Sequence, residues 1–163
     1  EWEKMLTSVF VALKELNEEI IIKRHPTRNG EIIDFKVLAN KFLPGAKIYK
    51  NKNTYKLLSK SKLVVSMMSS TITEAIILNK PVVMPRHFNH DLGPPFAETN
   101  AVLTIDKPED ALTVIKKALY DDEVKEELKK GREKFLKENF EYRGNATEKT
   151  IEFLDKILEN ENF

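Results

Sequence analysis

The chain contains no cysteine, which excludes a disulfide framework, a thiolate metal site and a cysteine nucleophile together. Glycine is scarce, five in 163 residues. The motifs built on glycine are missing with it: there is no G-x-x-x-x-G-K-[ST] phosphate loop, no G-x-G-x-x-G fingerprint and no G-x-S-x-G elbow. No apolar run approaches the roughly 20 residues of a membrane-spanning helix, and no signal-peptide pattern opens the chain. Charge of one sign is lacking too. Lys+Arg 27 against Asp+Glu 26 leave a formal net charge of +1, so nothing favours broad attraction to nucleic acid or to an anionic membrane. No internal repeat or low-complexity tract is present. The expectation is a soluble cytoplasmic protein with no nucleic-acid partner and no membrane span.

What is present fits one domain over 1–163, large enough to bury a core without staples. The chain opens on Glu1 and runs at once into a helical pattern, Trp2, Met5, Leu6, Val9, Phe10, Leu13 and Leu16, spaced three and four apart. It is expected to be a piece of a longer protein whose N-terminal polypeptide is missing.

"EEIIIKRHP" predicts a buried strand over Ile20 to Ile22, ended by Pro26. "DFKVLANKFLPG" predicts a short helix, capped by Asp34 and stopped by Pro44-Gly45. "AKIYK" is a strand and "NTYKLLSKS" a helix. "KLVVSM" is the next strand, "STITEAIILN" the next helix, "PVVMP" a strand fenced by prolines and "NAVLTID" the last strand. From Lys107 the pattern is helical: "PEDALTVIKKALYD", with Pro108 in its first turn and Asp106 as cap, then "DEVKEELKKGREKFLKENF" and "GNATEKTIEFLDKILEN". Short strands alternating with helices imply parallel strands and helical crossovers. The fold class is therefore α/β, a Rossmann-like doubly wound parallel sheet with a helical C-terminal end.

In such sheets ligands bind beyond the carboxyl ends of the strands. The strand-to-helix turn "SMMSST" lies at one such end. The first turn of a helix carries unpartnered N–H groups and the positive end of the dipole, and Ser69, Ser70 and Thr71 add hydroxyls there, a set that suits phosphate oxygens. Ser and Thr are also ordinary helix caps, and both readings stand. Glu74 lies about one turn into an otherwise apolar helix, four residues after Ser70. Its carboxylate could accept two hydrogen bonds from a ribose diol, or serve as an acid favoured by the helix dipole.

His25, beside Lys23 and Arg24 at another strand end, would favour an anionic ligand; the alternative is a surface turn shaped by Pro26. "MPRHFNHDLGPPFAETN" gathers Arg86, His87, His90, Asp91 and Glu98. Its histidine spacing is a poor zinc pattern and no thiolate supports it, so no metal is expected. Arg86 is available to a phosphate, and the loop is expected to be a lid or interdomain segment. Glu126 and Glu127 with Lys129 and Lys130 predict a solvated helix face.

"IIIKRHP", then "YKLLSKSKLVVSMMSSTITEAIILNKPVVMP", then "AETNAVLTIDKPEDALTVIKKALYDDEVKEELKKGREKFL" resemble, in that order, the C-terminal domain of the GT-B glycosyltransferases and their relatives. The nearest likenesses are capsule and teichoic-acid type transferases and UDP-N-acetylglucosamine 2-epimerases. The resemblance covers nearly the whole chain, and its most specific element is the hydroxyl cluster, Glu74, Ala75 and "NKPVV" in fixed order. It implies half of a GT-B fold that binds the nucleoside diphosphate, UDP type foremost, of a nucleotide-sugar or nucleotide-polyol donor in cell-surface polysaccharide biosynthesis. It places Ser69, Ser70 and Thr71 on the diphosphate, Glu74 on the ribose hydroxyls and His25 near the phosphates, where it is the candidate catalytic residue.

No cofactor or metal is implied. The epimerases carry a glycine pair where this chain has Ser69-Ser70, which favours the transferase side. The resemblance also implies that the other half of the active site belongs to the missing N-terminal domain, so that this piece alone is inactive. A 2-epimerase, and a non-catalytic ligand-binding or interaction domain of Rossmann-like fold, are the alternatives.

Overall fold

A computed structural model describes residues 2–25, 35–67, 69–86, 96, 98–142 and 144–160. In chain order the elements are α1 (Trp2–Lys14), β1 (Ile21–Lys23), α2 (Phe35–Phe42), β2 (Lys47–Tyr49), α3 (Thr54–Lys60), β3 (Val64–Val65), α4 (Ser70–Ile77), β4 (Val82–Pro85) and β5 (Leu103–Ile105). A 3₁₀ turn over Pro108–Asp110 then leads into α5 (Ala111–Tyr120), α6 (Asp122–Asn139) and α7 (Ala146–Asn160).

All strand pairs among the described residues are parallel, and they fall into two sheets rather than one. β1 pairs with β2, with Ile22 opposite Ile48; β4 lies between β3 and β5, with Val64 opposite Val82 and Val83 opposite Leu103. The alternation expected of a strand decides the layers around β4. Val82 joins Ile72, Ala75, Ile76 and Phe135 on one face, while Val83 joins Met5, Val9, Ile105, Ile115 and Leu128 on the other. Burying side chains of this size stabilises the fold by about 1.5–3 kcal/mol each. A third cluster covers the smaller sheet: Phe10, Leu38, Ala39 and Leu43 pack on Ile20, Ile22 and Ile48.

Local chemistry sets the helix ends. Asn53 caps α3, its Oδ1 accepting from the Lys56 N–H at 2.9 Å. Asp121 caps α6 by accepting from Glu123 and Val124. At the end of α4, Asn79 takes a left-handed conformation, φ 55°, which asparagine tolerates better than most residues.

Three expectations are corrected. The first strand is shifted by one residue and is not buried on both faces: Ile21 is 41% exposed while Ile20 and Ile22 pack inward. A run of three isoleucines has no alternation from which its phase could be read. Asp106 is not the cap before Pro108. Lys107 holds that position with no side-chain bond, and the Asp106 carboxylate instead accepts from Thr104 Oγ1 and faces Arg86. The third correction is the division of the parallel strands into two sheets, which the alternating pattern alone does not reveal. Asp34, expected to cap α2, lies outside the described residues.

Candidate functional site

The carboxyl ends of the strands carry the predicted residues. His25 follows β1, Ser69 to Thr71 follow β3, and Arg86 follows β4. Because β3 and β4 are paired, with the Ser66 N–H bonded to the Val83 carbonyl at 3.1 Å, the hydroxyl cluster and Arg86 leave neighbouring strand ends. His25 leaves the other sheet, on the far side of a seam that no described backbone pair bridges.

The amino end of α4 is organised by Ser69. Its backbone is extended, φ −158° and ψ 145°, and its Oγ accepts from the Thr71 N–H at 3.2 Å. The capping reading therefore holds for Ser69. A hydroxyl that accepts one bond still has its own proton to donate. Ser70 is exposed and Thr71 half-buried, and among the described residues neither hydroxyl is tied up in a side-chain hydrogen bond. The apolar side of α4 explains why they point outward: Ile72, Ala75 and Ile76 are completely buried. The opposite face carries Ser70, Glu74 and Ile77, all exposed, at the i, i+4 and i+7 positions of one helical stripe. Glu74 thus shares a face with Ser70, one turn further in.

Two basic groups are engaged elsewhere. Lys23 Nζ donates to the Arg24 and Lys50 carbonyls at 2.7 and 2.9 Å, so it closes the end of its own sheet rather than projecting toward an anion. Arg86 Nη1 lies 3.6 Å from the Asp106 carboxylate. Local spacing carries no signal for this pair because it depends on register: Pro85 is opposite Ile105 in adjacent parallel strands, so the next residues of each face one another. Asp106, directly after β5, is expected from sequence as a helix cap rather than as part of this edge; its position three residues beyond Leu103, at the carboxyl end of an apolar run, is the signal for the second role.

A surface hollow of about 410 Å³ lies elsewhere, lined by Pro81, Asp122, Lys125, Glu126, Lys129 and Arg132. Pro81 precedes β4, which places the hollow at the amino edge of the sheet and not at the hydroxyl cluster. Among the described residues no three histidine, aspartate or glutamate side chains gather as a metal-binding group; His87, His90 and Asp91 lie outside them. Glu98 is exposed. No helix among the described residues is long and apolar enough to cross a membrane.

No protein-family model matches the chain, and no curated protein matches it in sequence.

Proposed function

We propose that the chain is the donor-binding half of a nucleotide-sugar glycosyltransferase of GT-B type, acting in the cytoplasm on cell-surface polysaccharide synthesis and completed by an N-terminal domain of the same protein. One observation carries the reading. The amino end of α4 stands at the carboxyl edge of parallel strands, with the Ser70 and Thr71 hydroxyls uncommitted and Glu74 one turn further along the same exposed face.

In this reading the diphosphate lies against the first turn of α4, where the helix dipole favours negative charge, while the Thr71 N–H stays with the Ser69 cap. Ser69, Ser70 and Thr71 donate to phosphate oxygens, and Glu74 accepts from the ribose hydroxyls. Departure of the nucleoside diphosphate leaves charge on the β-phosphate, and donors fixed before the reaction stabilise that charge as it develops. Arg86 joins them by exchanging the 3.6 Å contact with Asp106 for a charge-assisted bond to phosphate. His25 supplies a further donor from the neighbouring sheet.

Calorimetric titration of the chain with UDP, CDP and GDP tests the site. Binding of one nucleotide, lost in both Glu74→Ala and Ser70→Ala, supports the assignment and names the base. Binding that survives both substitutions unchanged would sink it, in favour of a ligand-binding domain that shares only the architecture. Product analysis on a protein carrying both domains separates transfer from 2-epimerisation.

A further inference from the structure

Among the described residues β1 and β3 each pair on one edge only, β1 with β2 and β3 with β4. Parallel strands alternate the direction of their backbone groups. The Lys47 N–H bonds to Ile20 O and the Arg24 N–H to Tyr49 O, so Ile20, Ile22 and Arg24 face β2, and the N–H and C=O groups of Ile21 and Lys23 face the other way. On β3, the Val64 N–H bonds to Pro81 O and the Ser66 N–H to Val83 O, so Val64 and Ser66 face β4 and the backbone of Val65 faces away from it. Among the described residues no strand pairs with either outward edge.

Helix packing puts these edges side by side. α1 touches α2, which covers the small sheet, and α5, which covers β4 and β5. Leu13 of α1 belongs to both apolar clusters, beside Ile20 and Ile22 in one and beside Leu63 and Val65 in the other. The amino ends of the two strands are tied as well, since Lys62 Nζ meets both Glu18 carboxylate oxygens at 2.7 and 2.9 Å. The two strands are thus neighbours held by side chains, with no backbone pairing between β1 and β3.

We infer that β1 and β3 are the two walls of a binding slot for one parallel β-strand, and that the strand is an apolar segment joined ahead of α1. Three features define this occupant. Its backbone must pair on both sides, because an unpaired strand edge in a buried sheet is costly. Its side chains must be apolar on both faces, since one face meets α1 and the other continues the layer of Val64, and parallel strands covered on both sides are near-continuous apolar runs.

Its origin follows from the direction of α1. The Glu3–Val11 side of this helix lies beside Pro108 and Glu109, just beyond the carboxyl end of β5, while the helix ends before Glu18 at the amino edge. A strand running parallel to β1 would therefore finish close to Trp2, and strand, α1 and β1 would form one strand–helix–strand unit of the commonest kind. The inference is independent of nucleotide binding.

Amide hydrogen exchange tests it. In the chain of residues 1–163, Ile22 and Val64 are expected to be protected and Ile21, Lys23 and Val65 to exchange freely. Adding a Val-Ile-Val-Ile-Val segment and a short Gly/Ser linker ahead of Glu1 is expected to slow those three amides roughly tenfold or more, while an extension of Gly and Ser alone of equal length leaves them unchanged. Protection of the three amides in the unextended chain, or no slowing by the apolar extension, would overturn the proposal. Slowing by the same pentapeptide added separately, without slowing when it is joined, would overturn its assigned origin.

Discussion

The guanidinium of Arg132 is held by one oxygen: Asn79 Oδ1 accepts from Nε at 3.0 Å and from Nη2 at 2.8 Å. Arg132 is only 5% exposed, and its Nη1 is buried without a hydrogen-bond partner among the described residues. Burial lowers its pKa from the ordinary arginine value, with the nearby Glu133 acting in the opposite sense. The charge is nevertheless retained, because the ordinary value stands so far above neutrality. The carboxyl end of α4, with its partial negative charge, lies at the same place and offsets the missing counter-ion.

Asn79 therefore has two duties, a left-handed backbone and an acceptor for Arg132. Asn79→Gly keeps the backbone and removes the acceptor, and it is expected to cost about 1–3 kcal/mol for the orphaned donors. Asn79→Ala removes both and should cost about 1–2 kcal/mol more, the steric penalty of that conformation. Urea denaturation of the two variants measures the order, and equal midpoints would show that the backbone term is absent.

Gly131 yields a prediction opposite to helix propensity. It lies inside α6, where replacing glycine by alanine ordinarily stabilises by about 1 kcal/mol. Here a Cβ would overlap the Asn100 carbonyl and stand 2.6 Å from Thr99 O, and these are backbone atoms that a side-chain rotation cannot move. Gly131→Ala is expected to destabilise by about 1–3 kcal/mol or more. A raised thermal midpoint would mean that α6 does not approach the 99–100 segment so closely.

The residues at the amino end of α4 should separate by role. Ser69→Ala removes the side-chain cap and is expected to cost about 1 kcal/mol of stability. Ser70→Ala and Glu74→Ala, on the exposed face, should stay within about 0.5 kcal/mol of the parent while abolishing nucleotide binding under the proposed function. Loss of stability comparable to Ser69→Ala in either variant would give that residue a structural role.

Much of this was legible, and the failures have definite causes. The strand–helix alternation and the extents of α3, α4 and α6 follow from apolar spacing that the chain displays openly. The caps Asn53 and Asp121 emerged only with the structure. Relations between distant residues were not legible: Arg86 meets Asp106 through strand register, and Arg132 meets Asn79 across 53 positions. "KKGREKF" illustrates the limit. Its lysines are exposed as a charged helix face requires, yet Arg132 within it is buried, because Gly131 lets the helix press against another segment.

The pH response of α7 follows from its ion pair. The hydrogen bond and charge of Lys149 hold the Glu152 carboxyl below its usual value, and Glu152 raises Lys149 in return. A lowered carboxyl pKa contributes stability above the unfolded value that is lost as pH falls through the folded one; a raised ammonium pKa contributes stability below its unfolded value that is lost as pH rises. Helicity in α7 should therefore fall toward acid pH in the parent and less in Glu152→Gln, as read from α7 amide shifts by NMR. An unchanged acid response in the variant would assign it to other carboxylates.

The joining of the two sheets by the side chains of α1, rather than by backbone bonds, has a thermodynamic consequence. Cooperativity between the layers rests on α1, which packs Phe10 over the small sheet and Met5, Val9, Ala12 and Leu16 over the large one, and on the Lys62–Glu18 pair, so the three-stranded half can survive conditions that melt the two-stranded half. The expected urea transition is broad at the residues of β1 and β2 and sharp at those of β4. A single midpoint for the whole chain would then be an average over two bodies rather than a property of either.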